Sequence, residues 1–61
     1  MSKYLRIEDV SIMTGVSTNT LRYWRNRGIG PPSGKLGRRV VYRLDDLEKW
    51  IDAQFEGVAA R

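Results

Sequence analysis

The chain has 61 residues, with 11 Lys and Arg, 7 Asp and Glu, no Cys and no His, and a formal net charge of +4. That length implies one domain, residues 1–61, with a small core, because a domain of this size buries only about 60% of the surface its unfolded chain exposes. The composition excludes disulfides, the usual zinc sites, a thiol nucleophile and an imidazole base.

No apolar run approaches the length of a membrane span, and the opening MSKYLRIEDV lacks a signal-peptide core. A soluble cytoplasmic protein is therefore expected, and the Met1 start makes a near-complete chain the expectation.

The first predicted element is a short helix over Arg6 to Thr14, with Ile7 and Val10 at helical spacing. Glu8 and Asp9 lie in its first turn, where the macrodipole favours acids. Arg6 stands where a capping Ser or Thr would be preferred. Gly15 ends the helix, and Ser17 restarts the chain as an N-cap.

A second helix is predicted from Thr18 to Arg27, closed by Gly28. Thr20, Leu21 and Trp24 share the face expected to pack inward, while Thr18, Asn19, Arg22, Tyr23 and Asn26 share the other. Two short helices across a Gly-Val-Ser turn read as a helix-turn-helix.

Ile29-Gly30-Pro31-Pro32-Ser33 cannot continue a helix. Gly34 to Leu36 and Arg39 to Arg43 then read as two strands, with Gly37-Arg38 as a two-residue turn. Alternation puts Val40 and Tyr42 inward and Arg39, Val41 and Arg43 outward, so the cations are expected at the tip and outer side of a β-hairpin. A third helix is expected from Asp45 as N-cap, with Glu48 completing a capping box, to about Phe55. Leu47, Trp50, Ile51 and Phe55 form its apolar stripe. Residues 1–3 and 56–61 are expected to fray. The fold class is mainly α with a small β-hairpin: a winged helix-turn-helix of three short helices and one wing.

Charge is unevenly spread. Between Ser17 and Leu44 lie Arg22, Arg25, Arg27, Lys35, Arg38, Arg39 and Arg43, with no acid among them. The rest of the chain holds four cations and all seven acids. Such segregation costs self-repulsion in the compact state and favours a polyanionic partner.

Other chemistries fit poorly. GIGPPSGKL lacks the first Gly and the Ser or Thr of a phosphate-binding loop, and Gly28, Gly30 and Gly34 have the wrong spacing for a dinucleotide fingerprint. The pairs Glu8-Asp9 and Asp45-Asp46 sit at helix starts, where capping accounts for them. No enzyme, cofactor or small-molecule ligand is expected. Trp24 and Trp50 read as core residues rather than base-stacking platforms, given their helical spacing with Leu21, Leu47 and Ile51.

Arg pairs well with guanine and Asn with adenine in the major groove, which is about 12 Å wide and admits an α-helix. Thr18, Asn19, Arg22, Tyr23 and Asn26 are therefore the candidate base contacts. Ser17, Arg25, Arg27, Lys35, Arg38, Arg39 and Arg43 are candidate wing and phosphate contacts, which position a protein on DNA without specifying sequence.

The run from Tyr4 to Ile51 resembles the MerR-like winged-helix domain of phage excisionases and AlpA-type regulators. The resemblance rests on Gly15-Val16-Ser17, Thr20-Leu21 with Trp24, Gly28, Pro31-Pro32, Gly37-Arg38-Arg39 with Tyr42, and Asp45-Leu47-Glu48 with Trp50. It implies a small architectural protein of the bacterial cytoplasm, associated with the nucleoid, that binds tandem sites on double-stranded DNA. On this resemblance, copies associate head to tail, bend the site and steer a phage tyrosine integrase toward excision. The alternatives are a small AlpA-type transcriptional regulator and a basic protein-interaction module. Mercury-resistance-type regulators carry a long coiled coil after this domain. No such segment follows here, so a ligand-sensing dimer is not expected. Ile12 and Val41 stand where the family places polar residues, either as scattered surface residues or as a protein contact.

Overall fold

The structure is a computed structural model and describes residues 3–59. Along the chain run β1 (Tyr4–Leu5), α1 (Ile7–Thr14), α2 (Thr18–Arg27), β2 (Gly34–Leu36), β3 (Arg39–Arg43) and α3 (Leu44–Ala59). Three helices and an antiparallel hairpin make a mainly α winged helix-turn-helix.

The helix ends follow local chemistry. Arg6 is the N-cap of α1 in an extended conformation, and its N–H donates to the Asp9 carboxylate at 3.0 Å. A guanidinium has no acceptor to offer in return, so only half of the reciprocal cap forms. Gly15 closes α1 at φ 76°, its N–H donating to the Ser11 carbonyl. Thr14 Oγ1 donates to the Val10 carbonyl at 2.7 Å and accepts from the Val16 N–H at 3.2 Å, fixing the turn between the helices. Ser17 Oγ then accepts from the Thr20 N–H at 3.2 Å, capping α2 as expected.

The hairpin has the expected bounds, and its register sets Leu36 opposite Arg39 and Lys35 opposite Val40. Gly37 has φ 64°, and among the described residues only glycines have positive φ. A positive value followed by a negative one at Arg38 is the type II′ pattern, whose twist matches that of the strands.

Strand β1 was not foreseen. Tyr4 pairs with Arg43 and Leu5 with Tyr42, giving a three-stranded sheet in the order β1-β3-β2. The Leu44 N–H donates to the Lys3 carbonyl at 2.8 Å, extending this pairing. Two residues carry no periodicity from which a strand is read. What makes them a strand is the central β3, whose second edge would otherwise be left open.

The start of α3 also differs from expectation. The helix begins at Leu44, directly after β3, so Asp45 lies inside the first turn rather than at the cap. Asp45 and Asp46 remain where the macrodipole favours them. The far end of α3 continues to Ala59, past the expected stop near Phe55. The fraying expected of residues 1, 2, 60 and 61 lies outside the described residues.

Leu5, Val10, Leu21, Tyr42 and Leu47 form the buried core, one from every element except β2. Ile7, Val16, Trp24, Val40, Leu44, Trp50 and Ile51 pack around it, and the rings of Trp24 and Trp50 meet at 5.8 Å with a 52° tilt. Phe55 departs from its expected place in the stripe and is 66% exposed. The 16 residues of α3 span about 24 Å at 1.5 Å each, and the core it covers ends near Ile51.

Gly30 ties the loop after α2 to this core. It has φ +80°, and a Cβ there would lie 2.7 Å from Trp24 Cε3. Gly30→Ala is therefore expected to cost at least about 1–3 kcal/mol from the backbone alone, with the ring clash added. Gly34→Ala, where nothing lies within 4 Å, serves as the control. Urea midpoints of the two variants check this: a clear fall for the first and a near-unchanged value for the second.

Tyr42 is 1% exposed. Burial pushes its phenol above the ordinary value of 10.0, against the opposing pull of the Arg25 guanidinium. The folded state thus holds the phenolic proton more tightly than the unfolded chain does. The stability this contributes is complete below the unfolded value and is lost as pH rises through the raised folded value. Thermal midpoints followed from about pH 8 to 12 should fall at the alkaline end, and less steeply in Tyr42→Phe.

Candidate nucleic-acid interface

Helix α2 has two sides with different duties. Leu21 is buried and Trp24 packs against the core, which fixes the rotation of the helix about its axis. At about 100° per residue, Arg22, Asn26, Asn19 and Tyr23 then fall together on the opposite side. All four are exposed. Arg22 Nη1 donates to Asn19 Oδ1 at 3.3 Å, so a guanidinium and an amide are held side by side. Neither group is buried, so a ligand can replace this contact at little cost.

The remaining predicted contacts on α2 divide. Thr18 is half-buried at the first turn, and the Ser17 hydroxyl is engaged in the cap. Arg27 lies over the Tyr23 ring, 5.0 Å from its centroid, which orders an aromatic face beside the Arg22 group. Arg25 is half-buried on the flank nearer Leu21, close enough to Tyr42 for its charge to act on that phenol. It borders the loop of Gly28 to Ser33 instead of sharing the Arg22 face.

The wing is sorted by register. Arg38 is exposed at the turn, and Arg39 lies on the outer side with Val41 and Arg43. Lys35 faces Val40 across the ladder and therefore belongs to the other side of the sheet. The expectation that all the hairpin cations line the tip and outer side is corrected for Lys35. Arg43 is four residues from Arg39, about 13 Å along the strand. There its Nε donates to Asp46 Oδ2 at 2.9 Å, so its charge is already paired. Arg38 and Arg39 remain as the cations nearest the tip.

The outer sheet face also carries an apolar strip that sequence reasoning missed. Tyr4 and Leu36 are exposed and flank Val41, which is half-buried between them. With Gly34, Arg43 and Asp46 they border a depression of about 370 Å³. Val41 was expected on this face, but Tyr4 was not, because the Tyr4-Leu5 pair is too short to declare a strand. Ile12, expected at the surface, is 83% exposed.

The geometry is thus a polar, acid-free helix face joined through a Gly-Pro loop to a hairpin tipped by two arginines. The family model for a helix-turn-helix domain matches residues 4–54. The chain belongs to this helix-turn-helix family. The family includes AlpA- and excisionase-like DNA-binding proteins, and membership supports DNA as a partner. No curated protein and no solved structure gives a significant match. Among the described residues, no helix of this helix-turn-helix protein is long and apolar enough to cross a membrane.

Proposed function

We propose that this protein is a sequence-specific, DNA-bending excisionase without catalytic activity of its own. Helix α2 enters the major groove, with Asn19, Arg22, Tyr23 and Asn26 toward the base edges. Its ten residues span about 15 Å, enough to cover a few base pairs. Arg38 and Arg39 of the wing reach the adjacent backbone or minor groove, and Arg25 and Arg27 neutralise phosphates.

The observation that carries this reading is the face of α2. It gathers an Arg, two Asn and a Tyr in one exposed patch, within a stretch that contains seven cations and no acid. Such donors suit base edges, and the cations around them suit the flanking phosphates. A basic protein-interaction module would need the cations but not the paired Arg22 and Asn19.

Bending a site of 20–30 base pairs costs on the order of 1–6 kcal/mol. Several copies binding head to tail on tandem sites would supply that, and the bent complex would admit a phage integrase in the bacterial cytoplasm. An AlpA-type transcriptional regulator would use the same winged helix, since the family includes both kinds of protein.

Footprinting on candidate attachment-site DNA over a range of protein concentrations tests the reading. A ladder of regularly spaced protections, together with stimulated excision by the integrase in vitro, is the expected result. A single protected site at a promoter, with transcription changed and recombination untouched, would transfer the protein to the regulator class.

A further inference from the structure

The end of α1 and the C-terminal half of α3 enclose a second groove of about 370 Å³, lined chiefly by Met13, Val16, Trp50, Ile51 and Phe55. An adjoining depression shares Met13 and Ile51 with it and is bordered by Glu48 and Asp52. Met13 and Phe55 are both at least half exposed. A 61-residue protein with five core residues thus leaves a phenylalanine and a methionine together in the solvent. A gathered apolar surface of this kind, floored by a tryptophan and an isoleucine, marks a contact site more often than a scattered Ile12 does.

The charge around the groove selects its occupant. Glu48 and Asp52 lie at its adjoining end, and among the described residues no cation lines either depression. From Asp45 to Glu56 the chain carries five acids and one lysine in a protein that is otherwise basic. Duplex DNA is repelled by such a rim. Among the described residues a second copy has no free basic helix to lay in the groove, because the apolar side of α2 is committed to the core through Leu21 and Trp24. We infer that the groove binds a basic amphipathic helix of a different protein. Its apolar stripe would lie over Trp50, Ile51 and Phe55, and its cations against Glu48 and Asp52. The span from Glu48 to Phe55 is about 10 Å, matching roughly two turns of such a helix. Met13 is flexible and adapts to the shape of the inserted side chain.

None of the α2 or wing residues assigned to DNA borders this groove. The inference therefore stands apart from the DNA reading, and its test is run without DNA. The probe is a synthetic helical peptide of four turns with leucines along one stripe and lysines elsewhere. One control replaces its lysines with glutamates, and another scrambles its sequence at fixed composition. Backbone amide shifts and tryptophan fluorescence of the free protein report binding.

The lysine peptide is expected to bind saturably and to shift residues around Met13, Trp50 and Phe55. Phe55→Ala should weaken it about tenfold, as truncation of an aromatic anchor does. Glu48→Gln with Asp52→Asn should weaken it severalfold and remove most of its salt dependence. All three changes lie on exposed or groove-edge positions of α3, and unchanged helical circular dichroism verifies folding. Equal binding of the lysine and glutamate peptides, shifts confined to α2 or the wing, indifference to Phe55→Ala, or no saturable binding would each overturn the proposal. So would a concentration-dependent dimer abolished by Phe55→Ala, which would assign the groove to a second copy. A parallel gel shift of Phe55→Ala on duplex DNA should match the wild type within about twofold, because Phe55 lies outside the interface.

Discussion

Leu47→Ala is expected to leave most of the protein unfolded at 25 °C. Leu47 is fully buried, at 0% exposure, where α3 meets the other four core residues. Removing a buried leucine side chain costs about 2–5 kcal/mol, through lost transfer energy and the cavity left behind. A single core of this size rarely supplies more than about 3–5 kcal/mol of stability, and this chain has no disulfide to add to it. The loss is therefore comparable to the whole. Circular dichroism with urea titration reads it directly: the variant should show little helical signal or only the tail of a transition. A cooperative transition at the wild-type midpoint would mean that the core lies elsewhere. Ile12→Ser, at a site 83% exposed, should stay within about 0.5 kcal/mol of the wild type.

The second large effect concerns the division of labour between α2 and the wing. Arg22→Ala is expected to cost about 1–3 kcal/mol on the preferred site and to relax sequence preference. Part of that loss comes from Asn19, which no longer has the guanidinium beside it. Arg39→Ala should instead weaken binding to every duplex by a similar factor and reduce the salt slope by about one. The difference follows from position, since Arg22 belongs to the helix that fits the groove and Arg39 to the strand beside the hairpin tip. Gel shifts on the site and on scrambled duplexes separate the two. Equal losses on all sequences for Arg22→Ala would remove it from the base-reading set. Arg43→Ala should have a smaller effect than Arg39→Ala, because Arg43 is already paired with Asp46.

The contrast between Arg39 and Arg43 shows where sequence was a sufficient guide. Local signals were strong for α1, α2 and the hairpin. Gly15, Gly28 and Gly37 each take a positive φ, and Ser17 is a cap, so those boundaries could be read from single residues. The inward positions Val10, Leu21, Tyr42 and Leu47 followed from periodicity, because helix and strand repeats separate cleanly when the element ends are known. What escaped was tertiary. Strand β1 exists through a pairing across nearly 40 residues, and no two-residue segment carries that information. The pairing of Arg43 depends on α3 beginning immediately after β3, a junction the Asp45-Glu48 capping pattern disguised. Phe55 keeps the helical period of the core stripe, but periodicity cannot say how far along a helix the core extends. The side of the sheet taken by Lys35 required the register, not the composition.

Salt-dependent binding to duplex DNA tests the central claim most directly. If the α2 face and the wing together engage about five phosphates, log K against log salt should fall with a slope of about −4 to −5. The slope should become shallower when Arg38 and Arg39 are both changed to Ala. Binding that is flat with salt, or a slope indifferent to those two arginines, would contradict the account.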